Sequence, residues 1–279
     1  MGRLYDDSLY EGAAAHYLAG RMPYPARLLT AFDENLPRNA RGRLLDLGCG
    51  PGTLTLLLAP LFAEVLAVDA DAGMLRVAQA AADRCGIANV TWRCAAAEDV
   101  DVADGSVDVV TLAQSFHWMN RPVVAANVRR WLVPGGWCVH VGATTHAGEA
   151  DAPDLPHPAP PHEQIDALVR RYLGPRRRAG QQFASEKSMN DEEDMYRGAG
   201  LVGPHDVQVA GGDVHVRTAD QVVSAVLSLS SSAPHLFGAR LAGFERDLRD
   251  LLRDASPDGL FAEQLQSIRL SLWRSPGST

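Results

Sequence analysis

Short apolar runs alternate with amphipathic stretches through the first half of the chain. Residues 43–47, 65–68, 90–94, 107–112 and 137–141 read as strands, the fourth broken only by Asp108 and Thr111. Residues 71–84 place Met74, Leu75 and Ala78 on one helical face, and residues 122–132 read as a second helix. Pro134-Gly135-Gly136 then turns the chain into the strand at 137–141. Strands alternating with helices predict a parallel sheet covered on both faces. Ahead of it, residues 1–40 are mainly helical. Ala13-Ala14-Ala15 and Leu28-Leu29 favour helix, and Pro23 and Pro25 interrupt between them.

The character changes after the fifth strand. Residues 149–162 hold Pro153, Pro156, Pro158, Pro160 and Pro161 and predict a loop. Helices follow at 163–173 and at 190–197, the latter capped by Asn190 and stopped by Gly198 and Gly200. Residues 207–217 alternate like a strand pair or a bent strand. Thr218-Ala219-Asp220 starts a helix to about residue 229, and 241–252 forms another. In the last element Ile268, Leu270 and Leu272 face one way and Ser267, Arg269 and Ser271 the other, as in an antiparallel strand. The helices at 163–173 and 219–254 are read as a lid over the carboxyl ends of the strands, or as a structural or dimerising appendage.

At 279 residues the chain buries a substantial core. Its formal net charge of −8 argues against a nucleic-acid partner, whose phosphates need a basic surface. Arg176-Arg177-Arg178, with Arg170 and Arg171 nearby, is the one candidate basic patch and reads as a solvated helix end. Cys49, Cys85, Cys94 and Cys138 show no C-x-x-C spacing and are expected to be reduced core thiols of a cytoplasmic protein. The nine histidines lack metal-site spacing, so no metal is expected. No run resembles a signal peptide or reaches the length of a membrane span. The Ala- and Arg-rich, Lys-poor usage resembles that of a GC-rich bacterial source.

The stretch Leu44-Leu45-Asp46-Leu47-Gly48-Cys49-Gly50-Pro51-Gly52-Thr53 bears the most chemistry. A buried strand runs into a glycine turn and then a helix, whose free N–H groups face a ligand at the carboxyl end of the strand. The glycines follow G-x-G-x-G and not the G-x-G-x-x-G of dinucleotide sites. Asp46 stands just before them, badly placed for a pyrophosphate and well placed for an ammonium group. Asp69 ends the next apolar run, at the spacing from which a carboxylate reaches two ribose hydroxyls. A ligand with a ribose and an amino-acid tail, and no phosphate, fits both acids.

These residues resemble the first two motifs of the class I S-adenosylmethionine-dependent methyltransferases, and Phe116-His117-Trp118 resembles the His-Trp pair of the small-molecule, trans-aconitate methyltransferase-like proteins. The specific likeness covers residues 40–142. It implies a Rossmann-like α/β fold: a seven-stranded, mostly parallel sheet with its last strand antiparallel, helices on both faces and an inserted helical lid. The parts implied are a helical cap segment at 1–40, a cofactor-binding core at 41–150, and lid insertions with the final strands at 151–279.

Carried over position by position, the resemblance gives Gly48, Gly50 and Gly52 a backbone approach to the methionine part of S-adenosyl-L-methionine. Asp46 sits under its amino group and Asp69 on the ribose. Ala70 and Met74 flank the adenine, although a methionine at this helical position serves equally as core. Cys94-Ala95-Ala96-Ala97-Glu98-Asp99 is similar to the third motif, with Ala96 where relatives carry an Asp. The side-chain bond to the adenine amino group is lost there. Ala97 keeps a backbone N–H for the ring, and Glu98 matches, with a structural role equally open. Gln114 matches a position whose carbonyl meets the cofactor. Tyr17 and Arg21 lie in a segment similar to one that closes over the methionine end, where Arg21 pairs with a carboxylate.

Methyl transfer from a sulfonium needs alignment, exclusion of water and, for a protonated acceptor, a base. His117 in Phe116-His117-Trp118 is the candidate base; the alternative is that all three residues form pocket wall or substrate contacts. The expected activity is methyl transfer to a small organic molecule at oxygen, carboxylate or hydroxyl, in bacterial specialised metabolism, with S-adenosyl-L-homocysteine as product. Nitrogen transfer, or cofactor binding without transfer, are the alternatives. No nucleic acid or membrane partner is expected.

Overall fold

The computed structural model describes residues 12–149, 152, 154–175, 178–179, 182–183 and 190–277. In chain order the elements are α1 (Ala14–Gly20), α2 (Arg27–Asn35), β1 (Arg43–Leu47), α3 (Thr53–Leu58), β2 (Glu64–Asp69), α4 (Ala72–Cys85), β3 (Val90–Cys94), β4 (Val107–Ala113), α5 (Arg121–Trp131) and β5 (Leu132–Gly142). Then come α6 (His162–Leu173), the two-residue strands β6 (Arg178–Ala179) and β7 (Gln182–Phe183), α7 (Asn190–Gly198), β8 (Val202–Val209) and β9 (Val214–Thr218). The chain closes with α8 (Ala219–Leu227), α9 (Pro234–Phe237), α10 (Leu241–Ala255), β10 (Leu260–Gln264) and β11 (Ile268–Arg274).

Seven strands form one sheet in the order β3-β2-β1-β4-β5-β11-β8. The pairs β1 with β2 and β4, β2 with β3, and β4 with β5 are parallel. β11 is antiparallel to both of its neighbours, β5 and β8. The last strand of the chain is thus the antiparallel one, inserted beside the edge and not at it. The order reverses direction from β1, so the carboxyl ends of β1 and β4 flank a switch point, where open α/β sheets bind ligands.

Strand periodicity explains the two cores. Leu45, Leu47, Leu66, Val68, Val110 and Leu112 face α5 and α7 in one buried cluster. Leu44, Val65, Val109, Val139 and Val141 face α2 and α3 in the other. A third cluster of Ile165, Val222, Val226, Phe244, Leu248 and Phe261 joins α6, α8, α10 and β10 over the sheet. α8 starts in a capping box between Thr218 and Gln221, which satisfies two otherwise free N–H groups at its start.

Four expectations need correction. β5 begins at Leu132, so Pro134-Gly135-Gly136 lies inside the strand at a register shift against β4, not ahead of it. Residues 207–217 do not form a strand pair: β8 belongs to the large sheet and β9 pairs with β10 in a sheet of two. β10 was not expected at all. Of the four cysteines, all free, Cys49 and Cys138 are buried but Cys85 and Cys94 are exposed, because they end an element at its solvent side. Arg176 and Arg177 of the arginine run, the side chain of Arg178, and the proposed Asn190 cap lie outside the described residues. Among the described residues no single helix is long and apolar enough to cross a membrane, and no group of metal-ligating side chains assembles.

Candidate active site

The turn after β1 opens a cleft of about 430 Å³, counting space open to solvent. Its lining brings together Tyr17, Arg21, Asp46, Gly48 and Gly50, five residues singled out in the sequence from two separate segments. Met22, Tyr24, Thr53, Ala113 and Thr145 are also part of the wall. Three glycines of the turn have positive φ. At Gly50 (φ 55°) a Cβ meets no atom within 4 Å, so the backbone faces open space there. At Gly52 (φ 79°) a Cβ would meet the Trp92 ring at 2.8 Å, so this glycine serves packing.

Asp46 is 1 % exposed and accepts hydrogen bonds from Thr55 Oγ1 at 2.6 Å and Thr111 Oγ1 at 2.8 Å. Burial pushes its carboxyl pKa up, and the two bonds from neutral hydroxyls act against that rise. Asp69 accepts from Gly50 N at 2.7 Å and from Asp71 N at 2.8 Å, one bond to each oxygen. It therefore fixes the glycine turn and keeps one lone pair on each oxygen. Burial raises its pKa to about 6. Asp71 caps α4 through Gly73 N and Met74 N.

Arg21 crosses from the N-terminal segment to the overlying helices. Its Nε donates to Ser228 Oγ at 2.8 Å, Nη2 to Ser228 O at 3.2 Å and Nη1 to Thr145 Oγ1 at 3.4 Å. The guanidinium lies 4.6 Å from the centre of the Tyr17 ring.

Asp69 and Gly52 are next to this lining but not part of it, and the remaining residues singled out also lie outside it. Met74 is 2 % exposed on the buried face of α4, and Ala97 is 6 % exposed in the core beside α5. Glu98 accepts the Asn120 N–H and so ties its loop to the start of α5. Gln114 has φ 56°, a strained value for a residue other than glycine, directly after β4. Ala70 and Ala96 are half-buried at the ends of β2 and β3. Phe116 is buried and stacks on Tyr196 at 4.8 Å between ring centres. His117 tilts against Trp118 at 4.9 Å. Its ring reaches solvent, while the protein packed around it and Arg121 nearby hold its pKa below the ordinary imidazole value. His117 is therefore not brought to the glycine cleft.

A second cavity, of about 700 Å³ including open space, lies under α6 and α8. Ile165, Val169, Val222, Val226 and Leu229 give it apolar walls, and His146, His162 and Arg217 form its polar end. Arg217 and Glu263, 2 % and 1 % exposed, form a buried ion pair at that end. Arg217 Nη1 also donates to Gly20 O and His146 O, both at 3.3 Å, so this polar end backs onto the segment next to Arg21 and Thr145 of the glycine cleft. Sequence reasoning missed these residues. They come from β9, β10 and the start of α6, and only the fold joins them.

Residues 44–136 match the methyltransferase domain family. An uncharacterised methyltransferase of Mycobacterium tuberculosis is 39 % identical over 132 residues, which are 47 % of this chain and 51 % of that protein. The chain thus spans about half the length of the curated relatives that head its matches. Among solved structures, the YcgJ protein of Bacillus subtilis aligns over 91 % of this chain and 99 % of its own, with a TM-score of 0.52 and 18 % identity. The cyclase SpnF aligns over 93 % and 84 %, with a TM-score of 0.50 and 18 % identity. These two likenesses establish the fold.

Proposed function

We propose that the chain is a class I S-adenosylmethionine-dependent methyltransferase and that it transfers a methyl group to an oxygen of a small organic molecule. A cyclase has the same fold. The reading therefore rests on the domain match and the cleft, and not on the fold alone.

The observation that carries it is the pair of carboxylates on either side of the open glycine turn. Among the described residues Asp46 is a buried acid with hydroxyl partners, and a ligand ammonium supplies a cation to it. Asp69 holds the turn with one lone pair of each oxygen and offers the other two to a pair of hydroxyls. Gly50 leaves room for close approach. Arg21, in the same lining, suits the carboxylate of an amino-acid tail. The residues present fit S-adenosylmethionine.

When bound, that cofactor supplies an electrophilic methyl carbon on a sulfonium. The protein's own part is to hold and orient. Asp46 and Arg21 fix the two charges of the tail and Asp69 fixes the ribose, so that the acceptor meets one defined methyl position. The mixed apolar and polar cavity beside the cleft supports a small-molecule acceptor. The compositional bias supports a bacterial source, and specialised metabolism is the setting we propose.

Incubation with methyl-labelled S-adenosylmethionine and a panel of phenols, carboxylic acids and amines tests the reading. Labelled methyl ether or ester is expected. Label on amines alone, or on nothing while the cofactor binds, contradicts transfer to oxygen.

A further inference from the structure

The second cavity contains a carboxylate–imidazole pair that the glycine cleft lacks. His162, the first residue of α6, sets Nε2 at 2.7 Å from Glu263 Oε1. A carboxylate there fixes the proton on Nε2 and leaves Nδ1 as the acceptor. Nδ1 has no partner among the described residues, and His162 lines the cavity, half-exposed. Glu263 Oε1 also accepts Gly148 N at 2.8 Å, and its Oε2 takes Arg217 Nη2, so the carboxylate is held from three sides and cannot swing away.

Arg217 is paired with Glu263, and Asp166 lines the same cavity, so among the described residues the polar end offers no unpaired cation to an anionic acceptor. The walls of Ile165, Val169, Val222, Val226 and Leu229 want an apolar body.

We propose that this cavity binds the methyl acceptor, an uncharged, largely apolar molecule bearing a hydroxyl, phenolic in kind, and that His162 is the catalytic base that takes the hydroxyl proton. The inference rests on the methyltransferase reading above. The acceptor O–H proton passes to Nδ1 of His162. A lone pair of that oxygen forms the new bond to the methyl carbon. The carbon–sulfur bond breaks with its electron pair returning to sulfur, which leaves the neutral thioether. Glu263 is the positioning residue: its Oε1 holds the Nε2 side of the ring and so presents Nδ1 as the acceptor. Transfer to a carboxylate would use no base and would need a free arginine here, which Glu263 denies.

The pH dependence has a definite sign. His162 faces Glu263 from β10, Arg217 from β9 and Asp166 from its own helix, with His146 on the same cavity wall. Partial burial and then Arg217 hold its pKa below the ordinary value, with Asp166 acting the other way. The imidazole is therefore neutral and able to accept a proton at pH 7, and loses that ability on acidification.

The test uses the full chain and 2-naphthol as the probe, followed by its fluorescence, with S-adenosylhomocysteine saturating at every pH. Saturable binding is expected, level from pH 8 to 7 and weakening only once pH falls below the ordinary imidazole range. His162→Gln keeps a donor to Glu263 and removes the basic Nδ1. It should weaken 2-naphthol at least about fivefold, abolish the pH slope and lower methyl transfer to it about 10²-fold or more. Leu229→Trp fills the cavity and should abolish probe binding. No probe binding by wild type, equal binding by both variants, or an intact pH slope in His162→Gln overturns the proposal. S-adenosylhomocysteine affinity, measured separately on the same samples, tests the underlying reading. Its failure is distinct from failure of the naphthol arm.

Discussion

Gly50→Ala and Gly52→Ala separate ligand space from packing space within one turn. Both residues have positive φ, 55° and 79°, so both variants carry a left-handed alanine at roughly 1–2 kcal/mol. Only at Gly52 does the new methyl collide, at 2.8 Å from the Trp92 ring and 3.1 Å from the Ala78 Cβ. Overpacking of this kind adds about 1–3 kcal/mol. Gly52→Ala should therefore cost about 2–5 kcal/mol in stability, and Gly50→Ala only about 1–2. In thermal unfolding, Gly50→Ala should lower Tm by about 2–8 °C. Its methyl points into space free of protein, on a residue lining the cleft. Equilibrium dialysis with labelled S-adenosylmethionine should then show affinity at least about tenfold weaker, about 1.4 kcal/mol. Wild-type affinity in a folded Gly50→Ala protein would refute the claim that this turn cradles the cofactor.

Asp69, with its pKa raised to about 6, should make cofactor affinity level above pH 7 and weaker by up to about tenfold per unit below pH 6, because hydroxyl donors need the ionised form; calorimetry across pH checks this, and Asp69→Asn should remove the slope. The sign for the free protein is opposite: a raised native pKa means this group destabilises the fold as pH rises from about 4 to 6, readable as a larger loss of Tm on acidification from pH 7 to 4 in Asp69→Asn than in the wild type. Glu263→Gln leaves Arg217 buried without its counter-charge and should cost about 3–5 kcal/mol in denaturant unfolding; a cost under about 1 kcal/mol would mean water reaches the pair. His117→Ala, outside both cavity linings, should keep cofactor affinity and turnover within about threefold in steady-state assays, against the much larger loss from removing a proton-transferring group.

The sheet was legible because its strands obey simple periods. The run at 107–112 and the clean alternation at 268–272 are present as β4 and β11, and the motif around Asp46 and Gly50 lies at the switch point. The glycine cleft was legible for the same reason: Asp46, Gly48 and Gly50 are neighbours in sequence and must be neighbours in space. Residues placed by long-range packing were not. β9 and β10 pair across a separation that contains α8 to α10, and β10 holds Glu263, a charge inside a short apolar run that gives no local signal of its partner. His162 was legible only as the end of a proline-rich loop. His117 sits next to the right strand end, but the turn at Gln114 and the packing of Phe116 on Tyr196 carry it away from the cleft.

Titration calorimetry of the purified chain with S-adenosylmethionine and, separately, with S-adenosylhomocysteine tests the central claim most directly. Saturable binding of both, at one site per chain and abolished together by Asp69→Ala, is the predicted result. Absence of binding by either ligand to the folded protein would contradict the account.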